Sequence, residues 1–159
     1  MSHFLVGVIV PKKTKDIGTE VGILLDPYDE NEEVEEYMDD DGKPCTYNPD
    51  SKWDWYRIGG RWDGVVSKSG KEQPSEDGGF NFADVHELID NNSCLVRELP
   101  AKSVPFAIVT PDGTWHEKGE MGWWGMTKNE KEEQKWEAEV AGILTDHKDD
   151  LIVGVDCHI

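Results

Sequence analysis

The chain alternates between short apolar runs and long polar stretches, and the apolar runs at its two ends are the clearest. Phe4 to Val10 (FLVGVIV) is β-branched, continuous and stopped by Pro11, the pattern of a buried strand. Leu151 to Ile159 reads as a closing strand, and Val21 to Leu25, halted by Asp26-Pro27, as a second strand. Val104 to Val109 is expected to be extended. Pro111-Asp112-Gly113 then supplies a hairpin turn, from which Thr114 to Glu117 returns.

Helical spacing shows in three places. Trp136, Val140, Ile143 and Leu144 fall at i, i+4, i+7 and i+8, and Thr127 to Glu130 has the form of a capping box, so a helix is expected from Thr127 to about Leu144. Asn81 can cap a helix whose inward face is Phe82, Val85, Leu88 and Ile89. Val34, Tyr37 and Met38 give a narrow stripe within 29–41 and predict a short acidic helix there. Residues 67–79 (SKSGKEQPSEDGG) lack apolar positions and read as a mobile loop. The sum is one α+β domain spanning 1–159. Its sheet is antiparallel or mixed with helices packed on one face, and ferredoxin-like topology is the first expectation.

Charge narrows the choice of partner. Thirty-four Asp and Glu against sixteen Lys and Arg give a net charge of −18. Such a chain opposes direct nucleic-acid binding, which depends on basic groups displacing counterions, and it opposes anionic membranes. It would attract a basic host protein, and the carboxylates at 29, 30, 32, 33, 35, 36, 39, 40 and 41 could then imitate a phosphate row. The three cysteines, 45, 94 and 157, form no CxxC, so neither a disulfide framework nor a metal site is expected. Residues 1–10 carry no basic leader region, and no apolar stretch approaches the ~20 residues of a membrane span. A cytoplasmic setting follows as the expectation, and a homodimer through a sheet edge is compatible with it.

The candidate chemistry concentrates in Lys52 to Trp62 (KWDWYRIGGRW), which holds three of seven tryptophans and two of three arginines. Read as a strand, it puts Trp53, Trp55 and Arg57 on one face, and Gly59-Gly60 turns Arg61 and Trp62 away from it. Indoles stack on planar groups and arginines grip phosphate, so a small anionic, nucleotide-like ligand fits a Trp/Arg cleft here. A structural reading stands beside this one, in which the indoles are core and the arginines tie down carboxylates. A second stretch, Gly119 to Met126 (GEMGWWGM), sets Trp123 and Trp124 between glycines and could complete the cleft. His116 and His158 are the candidates for acid–base work, and Asp156 shares the strand face of His158. Cys157 aligns with Val153 and Val155 as a core thiol. No familiar catalytic motif and no cofactor signature is present, which favours a binding protein over an enzyme.

The stretches LLDPYDENEEVEEY, YNPDSKWDWYRIGGRW, GEMGWWG and VDCHI together resemble a family of small, uncharacterised phage and bacterial proteins. That resemblance implies no residue roles. It does imply a setting, counter-defence, in which a small acidic protein sequesters a nucleotide signal or imitates DNA.

Overall fold

The computed structural model describes residues 2–72 and 84–159, apart from the side chain of Trp123. Strand β1 (His3–Val10) and strand β10 (Leu151–His158) pair antiparallel along their full lengths, from His3 opposite His158 to Val10 opposite Leu151. They form the centre of a mixed sheet in the order β4-β10-β1-β6-β7, with β4 (Trp55–Ile58), β6 (Ala107–Val109) and β7 (Trp115–Glu117) outside them. β6 runs parallel to β1, and β7 returns antiparallel to β6 through the expected turn, where Gly113 has φ 84° and donates its N–H to Thr110 O. β5 (Ser93–Leu95) covers the part of the β10 edge that β4 leaves open.

The α+β class and mixed sheet are as the sequence implies, but the helices divide between two faces. Helices α1 (Ile17–Leu25) and α2 (Val85–Asn91) pack Val21, Leu24, Leu25 and Ile89 over the face made by Phe4, Val6, Val8, Val10, Val153, Val155 and Cys157. Helix α3 (Glu133–Asp146) lays Trp136 and Val140 over Leu5, Ile9, Ile108 and Ile152 on the other face. Strand alternation makes both faces apolar in the sheet's centre, so each needs a cover.

Three local expectations are corrected. Val21 to Leu25 is helical rather than extended, because Ile17, Val21, Leu24 and Leu25 recur at helical spacing and Asp16 caps the helix by accepting from Thr19 N. The 29–41 stretch forms no helix; Tyr37–Met38 (β2) pairs with Pro44–Cys45 (β3) instead, and the Tyr37 hydroxyl donates to Tyr47 O at 2.7 Å. Like charges three and four positions apart work against a helix in such a run. Thr127–Lys128 (β9) pairs with Glu120–Met121 (β8), so α3 begins at Glu133 and the capping box is not used. α2 is capped by Asp84, which accepts from Glu87 N; the expected Asn81 cap and Phe82 lie outside the described residues, as does 73–79 of the loop. No helix among the described residues is long and apolar enough to cross a membrane.

The thiols follow their burial. Cys157 is fully buried, and that burial, with Asp156 beside it, holds its pKa well above the ordinary value of 9.0. Burial, and to a lesser degree Glu98, pushes the Cys94 pKa up to about 11. Cys45 alone is partly exposed. Native protein at neutral pH should therefore expose one thiol to Ellman's reagent and denatured protein three; rapid reaction of all three in native protein would contradict this burial. Because folding raises the Cys94 pKa, the unfolded state releases its proton first. Stability should then fall between pH about 9 and about 11, an effect that Cys94→Ala should reduce.

Candidate functional site

The 52–62 stretch does not behave as one strand. Lys52 and Trp53 donate their N–H groups to Tyr28 O, and Trp53 bridges Asp29, whereas Trp55 to Ile58 pair with β10. The change of partner between 53 and 55 breaks the alternation that the sequence suggests. Trp53 turns into the core at 5% exposure, and its indole Nε1 donates to Leu25 O at 3.0 Å. Trp53 is thus a packing residue. Trp55 goes the other way and is 44% exposed. Trp62 is half-buried against the second core cluster.

At the C-terminal end of β10 the register assembles a polar corner on the sheet face that bears Leu5 and Ile152. β4 sets Trp55 opposite His158 and Arg57 opposite Asp156, and β1 sets His3 opposite His158. Side chains directly opposite in an antiparallel ladder share a face with Cβ atoms about 4.5–5.5 Å apart. The indole of Trp55 stacks on the His158 ring, with centroids 4.9 Å apart and planes at 16°. His3 meets both rings edge-on, 4.9 Å from His158 and 5.3 Å from Trp55.

Each histidine is fixed by its own carboxylate. His3 Nδ1 lies 2.8 Å from Asp156 Oδ1, and His158 Nδ1 lies 2.6 Å from Asp54 Oδ1. An ionised carboxylate only accepts, so each Nδ1 carries the hydrogen of that bond and Nε2 is the ring nitrogen left over. Asp156 is 1% exposed, and its second oxygen accepts from Arg61 N at 3.0 Å. No buried side-chain nitrogen or oxygen among the described residues lacks a hydrogen-bond partner, and of the two rings His3 is the more exposed, His158 being buried at 6%.

The Gly-Gly turn brings Arg61 to that carboxylate. Gly59 and Gly60 have φ of 75° and 54°, in the left-handed region that favours glycine. A Cβ on Gly60 would lie 2.4 Å from Asp156, and one on Gly59 would lie 2.5 Å from Asn92 Nδ2. Asn92, fully buried, holds the turn from its other side: it accepts from Gly64 N and donates to Asp63 Oδ1 and Leu88 O. Arg61 itself is exposed.

The second tryptophan stretch reaches the same end of the sheet. Ser2 Oγ donates to Gly122 O at 3.1 Å and accepts from Gly125 N, which ties the 122–125 turn to the residue preceding His3. Trp124 is 80% exposed with φ 68°, an unusual conformation for a bulky residue. Ser2 directly precedes His3, so the turn docks at the end of the sheet that carries the histidine corner. His116 is remote: it lies on β7, three strands from β10 in the sheet order, with Nδ1 4.0 Å from Glu139 Oε1. The acid–base candidates His116 and His158 therefore do not share a site.

Trp55 and Arg61 are the exposed parts of the corner, whereas His158 and Asp156 are buried. The larger clefts lie elsewhere, one of about 560 Å³ between α3 and residues 96–104, another of about 780 Å³ beside Asp63 and Lys71. Neither is lined by Trp55, Arg57, Arg61 or Trp124.

Sequence reasoning found Trp55, Arg57, the glycines, Arg61 and His158 but missed His3 and Asp54. The available signal was parity. If the terminal strands pair, His3 shares a face with Leu5 and with the Asp156–His158 pair. Comparison of the chain with protein-family models, with curated proteins and with solved structures returned no match in any of the three.

Proposed function

We propose that the corner around Trp55, His3, His158 and Arg61 binds a planar, phosphate-bearing ligand of the nucleotide type. The observation that carries this reading is the Trp55–His158 stack: one indole face rests on a ring held by Asp54, and Trp55 remains 44% exposed to receive a base. Exposed Arg61 supplies the donor for phosphate. The site's own carboxylates, Asp54 and Asp156, are each engaged by a histidine. The net charge of −18 acts against anions at long range. That repulsion is screened beyond about 8–10 Å at physiological salt, whereas direct contacts are screened less. Sequestration of a nucleotide signal is the setting the phage resemblance implies.

The test is titration of AMP, ADP-ribose and a cyclic dinucleotide, followed by tryptophan fluorescence and thermal shift. Saturating ligand at a hundredfold over Kd should add about 2.7 kcal/mol of stability. Trp55→Ala should weaken binding roughly 5- to 150-fold, the equivalent of about 1–3 kcal/mol of base stacking. Binding unchanged in Trp55→Ala, or no binding of any of the three, sinks the proposal.

A second reading makes the same corner a small hydrolase, with His158 as general base and Asp54 as its orienting partner. The 2.6 Å His158–Asp54 contact favours it, because a base held by a carboxylate through Nδ1 presents Nε2 to the reacting group. Release of product from any of these nucleotides, lost in His158→Gln, would promote this reading; stoichiometric binding without product would remove it.

A further inference from the structure

The geometry points to a transition-metal site on the His3–His158 pair, formed by the two Nε2 atoms and suited to zinc. The two imidazoles come from opposite positions on adjacent strands and share one face. Their ring centroids are 4.9 Å apart with planes at 73°. Two imidazoles that share one tetrahedral zinc ion through Nε2, at about 2.0–2.1 Å from each nitrogen, hold their centroids about 5 Å apart. The rings already stand at the spacing such an ion would require.

The outer contacts are also those of ligating histidines. A metal-bound His characteristically gives its other N–H to a carboxylate, which fixes the tautomer and raises the basicity of the ligating nitrogen. Here both rings have that partner, Asp156 for His3 and Asp54 for His158. Trp55 closes one side of the His158 ring and limits the movement of the ligand. Imidazole nitrogen selects zinc and its neighbours over magnesium and calcium, which prefer oxygen.

Among the described residues no third His, Cys, Asp or Glu joins the pair to complete a larger cluster. The site therefore offers two protein ligands, one fewer than the three of catalytic zinc sites, and leaves the remaining positions to water or to a ligand's oxygen atoms. The chain's negative charge raises the local concentration of cations around it. This inference does not depend on the nucleotide reading, because the ion alone is the probe; failure of either leaves the other standing.

The experiment is calorimetric titration of zinc chloride into the full chain after EDTA treatment, with magnesium chloride in excess to occupy surface carboxylates. Uptake of one zinc ion per chain is expected. His3→Gln and His158→Gln should each abolish it, whereas His116→Gln and His147→Gln should leave it unchanged. Asp54→Asn, which removes only an outer partner, should weaken zinc binding by about 10- to 100-fold. Cobalt should give a visible absorption band that the two histidine substitutions remove. If circular dichroism shows His158→Gln to be unfolded, His3→Gln and Asp54→Asn decide the matter. Absence of uptake, or uptake that survives His3→Gln and Asp54→Asn, overturns the site.

Discussion

Gly60→Ala should cost about 2–5 kcal/mol of folding stability and dismantle the histidine corner at the same time. Two separate penalties meet at this residue. Its φ of 54° places an alanine in the left-handed region, at roughly 1–2 kcal/mol. The new Cβ would then stand 2.4 Å from the Cβ and Oδ2 of Asp156, a contact that must be relieved by displacing a buried side chain, at roughly 1–3 kcal/mol. Asp156 cannot move without loosening both its bond to Arg61 N and its hold on His3 Nδ1. Urea denaturation gives the stability change, and the NMR resonances of His3 and His158 report the corner. Gly142→Ala is the matched control, because Gly142 is exposed in α3 and an added methyl group would meet nothing within 4 Å. That change should stabilise by about 0.5–1 kcal/mol. A Gly60→Ala protein as stable as the parent would show that the turn tolerates a side chain and that the Asp156 contact is not fixed.

Trp136→Ala should be comparably damaging, at about 3–5 kcal/mol, for a different reason. Trp136 is 1% exposed and is the largest fully buried side chain among the described residues. It ties α3 to the Leu5, Ile9, Ile108 and Ile152 face, and its Nε1 donates to Pro105 O at 2.9 Å. Truncation leaves a cavity and a buried carbonyl without its donor. Against a total stability of about 5–15 kcal/mol, that loss brings the domain close to unfolding at ambient temperature. Trp124→Ala, at a residue 80% exposed, should move stability by no more than about 0.5 kcal/mol. Denaturation midpoints by far-UV circular dichroism separate the two. Equal effects would contradict the placement of these indoles.

What the sequence made legible is what periodicity alone encodes. β1, β10 and the apolar face of α3 are continuous patterns long enough to override local ambiguity, and the 111–113 turn has only one economical use. The 29–41 segment misleads because three apolar residues at helical spacing are outweighed by repulsion among nine carboxylates and by an anchor, Tyr37 to Tyr47, that lies ten residues away. Thr127 to Glu130 has the letters of a capping box, yet pairing with β8 claims those backbone groups first. For the site, composition pointed to the right segment but not to the right partners. Trp53 and Trp55 look equivalent until one learns that 53 bonds to Tyr28 and 55 pairs with β10. His3 and Asp156 are 153 positions apart, and His158 and Asp54 are 104 apart. Only strand register brings them together, and no local pattern carries it.

The antiparallel pairing of β1 with β10 also fixes how the sheet would respond to a mechanical load. Because His3 lies opposite His158, a force pulling those two residues apart acts across the ladder at one end and opens it rung by rung, like a zipper. The first rung to part would be the histidine pair, and Val10–Leu151 would be the last. A load applied between Val10 and His158 would instead draw the strands along each other and strain all eight residue pairs together, which requires a much higher force. The histidine corner thus sits at one end of the longest strand pairing among the described residues, where tension between residues 3 and 158 would reach it first.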